Sequence, residues 1–181
     1  MKITTPGRIC LFGEHQDYLG LPVIALAISL RSTIKAVRRN DRKIIINMPD
    51  VNQVEEFSLD NLSYTKDRDY FKSAIRVCQK EGLNYKNGFD STIQSNIPIQ
   101  AGASSSSSII VGWIKLISSL ADNPPSWDNQ TIGRLAYEAE VLEFDEPGGM
   151  MDQFSTALGG CIYLSQNPFQ IKKITPDIGA F

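Results

Sequence analysis

Residues 96–121 read NIPIQAGASSSSSIIVGWIKLISSLA and change character partway through. Before Ile109 the residues are small or polar and are punctuated by Pro98 and Gly102. After it, Ile110, Trp113, Ile114, Ile117 and Ala121 recur at helical spacing. The preceding GFDSTIQSNI alternates as a strand does, so a strand feeds a loop that opens a helix over residues 104–121. The first amides of a helix have no internal partners and carry the positive end of its dipole, so this junction suits an anion, with phosphate the obvious one. Serine hydroxyls there can donate to phosphate oxygens or coordinate magnesium held by a nucleotide. A serine-rich linker is the competing reading, but a linker has no need of an amphipathic helix directly after it. The stretch matches neither G-x-x-x-x-G-K-[ST] nor G-x-G-x-x-G, which excludes the P-loop and dinucleotide templates.

The rest of the chain sets bounds. Its 181 residues, 42% apolar, suffice for one core and fit one domain over residues 1–181. Eighteen basic against twenty acidic side chains leave a net charge of -2, with no cationic field for nucleic acid. Cys10, Cys78 and Cys161 are too few and too scattered for a disulfide framework or a zinc site, and a reducing cytoplasm fits best. MKITTPGR lacks the apolar centre of a signal peptide, and LPVIALAISL is too short to cross a bilayer, so no membrane partner is expected.

The first third reads mostly as sheet, with strands at KITT, PVIALAISL, STIKAVRR, KIIINM and EEFSL. Phe71, Ala74, Ile75 and Cys78 share one stripe of a helix over 69–81 that Gly82 stops. SWDNQTIGRLAYEAEVLEF forms a helix over 127–143, capped by Ser126, burying Ile132, Leu135, Ala136 and Ala139 and delivering Glu140 near its end. DEPGGMMDQFSTALGG turns through Pro147, Gly148 and Gly149 into a short helix over 150–158. Asp152 falls on its first turn, where the dipole favours a carboxylate. Mixed sheet packed on helices makes the class α+β.

A third unusual stretch is GRICLFGEHQDYLG at residues 7–20, which gathers Arg8, Glu14, His15 and Asp17 among apolar residues and glycines. ICLF within it reads as a strand packing into the core, and Tyr18 can pack or bind. Together, and in order, the three stretches resemble the GHMP kinases, with galactokinases the nearest likeness. Galactokinases carry GR-x-N-L-x-GEHTDY-x-x-G, which differs here mainly at Cys10 and Gln16. They carry P-x-G-x-G-L-S-S-S-A, matched by Pro98, Gly102, Ser104, Ser105 and Ser106, and MPCGIMDQF, matched by EPGGMMDQF at residues 146–154.

The resemblance implies an ATP-dependent kinase of a monosaccharide, galactose or a relative at its anomeric hydroxyl, on the ribosomal protein S5 domain 2-like N-terminal domain of that family. It implies Asp152 and Arg8 as catalytic residues, the first to orient the acceptor hydroxyl or take its proton, the second to stabilise charge on the moving phosphoryl. Whether Asp152 acts as base or only orients stays open. Glu14, His15 and Asp17 are implied as sugar contacts, a set of acceptors and a two-faced imidazole suited to a polyol. A lone histidine is more simply structural, and the flanking acids tip His15 toward binding. Gly102, Ala103, Ser104, Ser105, Ser106 and Ser107 are implied to hold ATP phosphates, and Ser106 with Glu140 to hold Mg2+, hard oxygens for a hard cation. On composition alone Glu140, with Glu138, Glu143, Asp145 and Glu146 close by, is equally a surface acid, and Ser105 stands in reserve for Ser106.

Departures from the galactokinase pattern are Gln100 and Ala101 where glycine is usual, Ala103 for leucine, Ser107 for alanine and Cys10 for asparagine. They leave other acceptors open within the family: a uronic acid, a heptose, mevalonate or homoserine. A non-catalytic sugar and ATP sensor, or a structural interaction domain, are the alternatives outside it. The family's third glycine-rich motif belongs to a C-terminal domain absent from residues 1–181, so an inactive isolated segment with an exposed apolar face is expected.

Overall fold

The computed structural model describes residues 1–175. Its strands are β1 (Lys2–Phe12), β2 (Val23–Arg38), β3 (Lys43–Met48), β4 (Gln53–Ser58), β5 (Phe89–Ser95), β6 (Cys161–Gln166) and β7 (Phe169–Ile174). Its helices are α1 (Tyr70–Lys80), α2 (Ser105–Leu120), α3 (Asn129–Glu140) and α4 (Met151–Leu158). The class is α+β, as the sequence indicates. One sheet runs β4-β3-β5-β2-β6-β7, with β1 paired to β2. β3 and β5 run parallel, and the other pairings are antiparallel.

β2 organises the sheet. β1 follows it from Lys2↔Lys35 to Phe12↔Ile24, β5 pairs its second half, and β6 pairs Val23–Leu26. Alternate residues of β2, β3 and β5 point into the core: Ile34 and Ala36, Ile44 and Ile46, Phe89 and Ile93, all at 4% exposure or less. They pack on α1, α2 and α3, with Trp113 at the centre between Phe71 and Phe89. The Trp113 indole N–H donates to Phe71 O at 3.1 Å, which satisfies its polar edge. A smaller cluster of Val23, Ala25, Met151, Phe154, Ile162 and Leu164 seats α4 on β2 and β6.

Several expectations need correction. PVIALAISL and STIKAVRR are one continuous strand, since Arg31 adds polarity but breaks no backbone geometry. KITT extends through Pro6 and Gly7 to Phe12, because an edge strand tolerates proline. ICLF does not pack into the core: Ile9, Leu11 and Phe12 are exposed and only Cys10 turns toward α4's cluster, since among the described residues β1 pairs with β2 alone and helices cover one face. Tyr18 is also exposed. Asp128, not Ser126, caps α3, accepting from Thr131 N at 2.7 Å. β6 and β7 were not anticipated. An exposed apolar set is present, with Phe12, Leu19 and Leu21 beside Ile9 and Leu11.

Replacing Trp113 with alanine removes the largest fully buried side chain and the indole's bond to Phe71. A loss of about 3–5 kcal/mol is expected from chemical denaturation, the range for large aromatic truncations in a packed core.

Candidate active site

Arg8 sits just after a register shift in β1, between Pro6 and Arg8, which re-aims the chain. Gly7 beside it lets the loop before α2 come close, because a Cβ there would lie 2.8 Å from Ala103 O. The Arg8 amide donates to that carbonyl at 3.2 Å. Arg8 is 5% exposed, and each of its guanidinium nitrogens donates one bond: Nε to Asp152 Oδ1 at 2.9 Å, Nη2 to the same oxygen, and Nη1 to Gly102 O at 2.6 Å. Asp152 stands on the first turn of α4 and keeps about a third of its side chain exposed.

On one side of this pair lies a cavity of about 500 Å³, lined by residues 98–107, by Asp152 and by Lys66, Arg68 and Tyr70 from the chain before α1 and its start. Gln100, Gly102 and Ser104 all take left-handed backbone conformations (φ of 59°, 65° and 52°), which fold the loop back onto the start of α2. Gln100 holds a conformation that glycine adopts without strain, so the departure from the family pattern changes the residue and keeps the bend. Ala103, Ser105 and Ser106 line the cavity, and Ser107 also lines it while its hydroxyl accepts from Gln153. The Ser104 hydroxyl is buried with no hydrogen-bond partner, an unmet demand at the mouth of a helix N-terminus.

Behind the serines, three helices meet at Glu140. Ser106 Oγ donates to its Oε1 at 2.7 Å and Gln153 Nε2 to its Oε2 at 2.8 Å. Burial pushes this carboxyl above the ordinary glutamate range, hydrogen bonds from Ser106, Gln153 and Ser107 pull it back, and the nearby Asp152 charge raises it further. The Glu140 carboxylate and the Ser106 hydroxyl are adjacent hard oxygens, and Asp152 adds negative charge nearby, so Ser106 and Glu140 fit magnesium. No group of three or more acidic, histidine or cysteine ligands is found among the described residues, so the remaining ligands would be nucleotide oxygens and water.

Asp152 also lines a second cavity, of about 240 Å³, together with Arg8, Glu14, His15, Asp17, Tyr18, Gly149 and Gln153, among others. Glu14 and His15 are exposed, His15 with φ of 59°, while Asp17 is buried. Asp17 Oδ2 accepts from Met151 N at 3.0 Å and so caps the first turn of α4 from a distant segment. Gly149 leaves room for it, since any Cβ there would overlap the Asp17 carboxylate. All the anticipated site residues therefore line the two cavities or, as with Glu140, contact a lining side chain. Missed were Gln153, present in the quoted motif but given no role, and Lys66, Arg68 and Tyr70, which carry no motif. Arg68 pairs with Glu146 through bonds of 2.7 and 2.8 Å, tying one wall to the turn before α4.

A chain with this fold and these paired cavities belongs to the GHMP kinases: the model of the GHMP kinases N terminal domain matches residues 69–160, just over half of it. The galactokinase galactose-binding signature matches residues 2–39. The chain is 32% identical to the galactokinase of Clostridium beijerinckii over 160 residues, 86% of this chain and 41% of that one. It is 31% identical to the mevalonate kinase of Methanocaldococcus jannaschii over 176 residues, 94% of this chain and 55% of that one. The Lactococcus lactis galactokinase complexed with galactose superposes with a TM-score of 0.86 at 27% identity, over 96% of this chain and 46% of that one. The Methanococcus jannaschii mevalonate kinase gives 0.83 at 30%, over 98% and 56%. The chain thus spans about two fifths to just over half of the relatives it matches. No helix among the described residues is long and apolar enough to cross a membrane.

Because Glu140 is harder to ionise folded than unfolded, it costs stability as pH rises above its ordinary value of 4.5 toward its raised one. Glu140→Gln should therefore raise the melting temperature of the metal-free protein near neutrality. The gain should shrink on acidification and vanish below about pH 4, where both states carry a neutral glutamic acid.

Proposed function

We propose that this domain serves an ATP-dependent kinase that phosphorylates a monosaccharide hydroxyl, galactose or a close relative at the anomeric position. The observation that carries the reading is the place of Asp152, which lines both cavities and is held there by Arg8. In-line transfer needs the acceptor oxygen on one side and the γ-phosphorus on the other, with cationic charge beside the group in flight. The 240 Å³ cavity takes the sugar, with Glu14, His15 and Asp17 as hydrogen-bond partners for its hydroxyls. The 500 Å³ cavity takes ATP, its phosphates on the amides and hydroxyls of residues 102–107. The acceptor oxygen attacks the γ-phosphorus, the bond to the β-bridging oxygen breaks to release ADP, and Asp152 orients the hydroxyl and receives its proton. Arg8 keeps Asp152 aimed and faces the charge that develops on the phosphoryl oxygens. Ser106 and Glu140 would hold magnesium, which when bound would supply further neutralisation of the phosphate charge.

The mevalonate kinases among the relatives make mevalonate the second reading for the acceptor. The galactose-binding signature over residues 2–39 and the polar set Glu14, His15 and Asp17 favour a sugar. Because the chain spans only about two fifths to just over half of the relatives' length, activity is tested on the intact gene product.

A panel of monosaccharides and mevalonate, offered with ATP and magnesium and followed by ADP release, should show turnover with galactose or a relative. Release with mevalonate alone would replace the acceptor. Asp152→Asn should lower turnover by roughly 10²–10⁴-fold, the usual worth of a positioned proton acceptor, and preserve nucleotide affinity. Undiminished turnover would remove Asp152 from the chemistry.

A further inference from the structure

Consecutive residues on the first turn of α4 face two different polar centres. Asp152 meets Arg8, and Gln153, 4% exposed, meets Glu140. Gln153 Nε2 donates to Glu140 Oε2 at 2.8 Å and to Ser107 Oγ at 3.3 Å, while Ser106 engages the other oxygen, Oε1. Its own carbonyl, Oε1, is buried and has no partner. The amide is thus committed as a donor, and half of its hydrogen-bonding capacity is given up to keep it there. α3 packs closely on α4: a Cβ at Gly133 would lie 3.2 Å from Phe154 Cα, so with glycine there the helices approach without the small shift that a side chain would require.

We propose that Gln153 is the positioning residue of the magnesium site, fixing the rotation of the Glu140 carboxylate so that Oε1 and the Ser106 hydroxyl face the nucleotide phosphates. This rests on the reading of Ser106 and Glu140 as magnesium ligands. A carboxylate with one oxygen pinned has a single edge to offer, and a small cation that sheds water reluctantly gains from finding that edge already turned. The same helical turn then sets the cation's ligand through Gln153 and the acceptor's partner through Asp152, so both are placed by one rigid element. A purely structural Gln153 would only fill space between α2, α3 and α4.

Gln153→Met separates the two roles, because methionine matches the shape, removes the donor, and also removes the unpartnered carbonyl. Gln153→Asn is the companion, keeping the amide but drawing it back from Glu140. In the full-length polypeptide, Mn2+ affinity in the presence of a non-hydrolysable ATP analogue is read by electron paramagnetic resonance. Affinity for the analogue without metal is measured alongside. Each variant that folds should bind Mn2+ at least about tenfold more weakly, the lower end for loss of a partner behind a ligand, with metal-free nucleotide affinity unchanged. Wild-type Mn2+ affinity in Gln153→Met, with weakened affinity in Glu140→Gln, would overturn the positioning role and leave the ligand role standing. Wild-type affinity in Glu140→Gln would overturn both.

Discussion

The guanidinium of Arg8 is the constraint on which the site depends. It joins three segments far apart in sequence: β1 that carries it, the loop before α2 through Gly102 O, and α4 through Asp152. A cation this deeply buried is tolerable only when its donors are met, so the loop's carbonyl and the aspartate are both required partners. Asp152 stays partly open to solvent, which leaves it free to face a ligand on the side away from Arg8. Removing the guanidinium would therefore release the loop and the helix together.

Two distant residues hold α4 in place around that pair. Asp17 caps it through Met151 N, and Glu140 receives Gln153 from the same turn. Gly149 makes space for the Asp17 carboxylate, and Gly133 lets α3 come close to Phe154 of α4. The segment that carries Asp17 and the helix that carries Glu140 therefore both act on one short helix. Any ligand that displaces either partner will be felt by Asp152, which is a physical route by which filling one cavity can alter the other.

Much of this was legible in the chain. The switch from small polar residues to a 3.6-residue apolar period at Ile109 placed α2 within a residue at each end, because it is set by burial of one face. The three motifs contain Arg8, Asp152 and Ser106, and Glu140 came only from the resemblance to the family, since by composition it reads equally as a surface acid. Less legible was whatever depends on which side of an element is covered. ICLF has the composition of a core strand, and its exposure follows because no layer among the described residues covers that side of β1. β6 and β7 hid behind a short helix and a turn with no distinct period. The Asp128 cap lay two residues beyond the serine chosen, a distinction that only the local backbone makes. Gln153 lies within the third motif, and nothing in the sequence indicates the Glu140 carboxylate it touches.

The most direct test is a crystal structure of the full-length polypeptide with galactose and a non-hydrolysable ATP analogue. The expected result places the anomeric hydroxyl against Asp152 and the terminal phosphate between Arg8 and the start of α2, with the sugar among Glu14, His15 and Asp17. Sugar and nucleotide bound at separate places, with Asp152 touching neither, would contradict it.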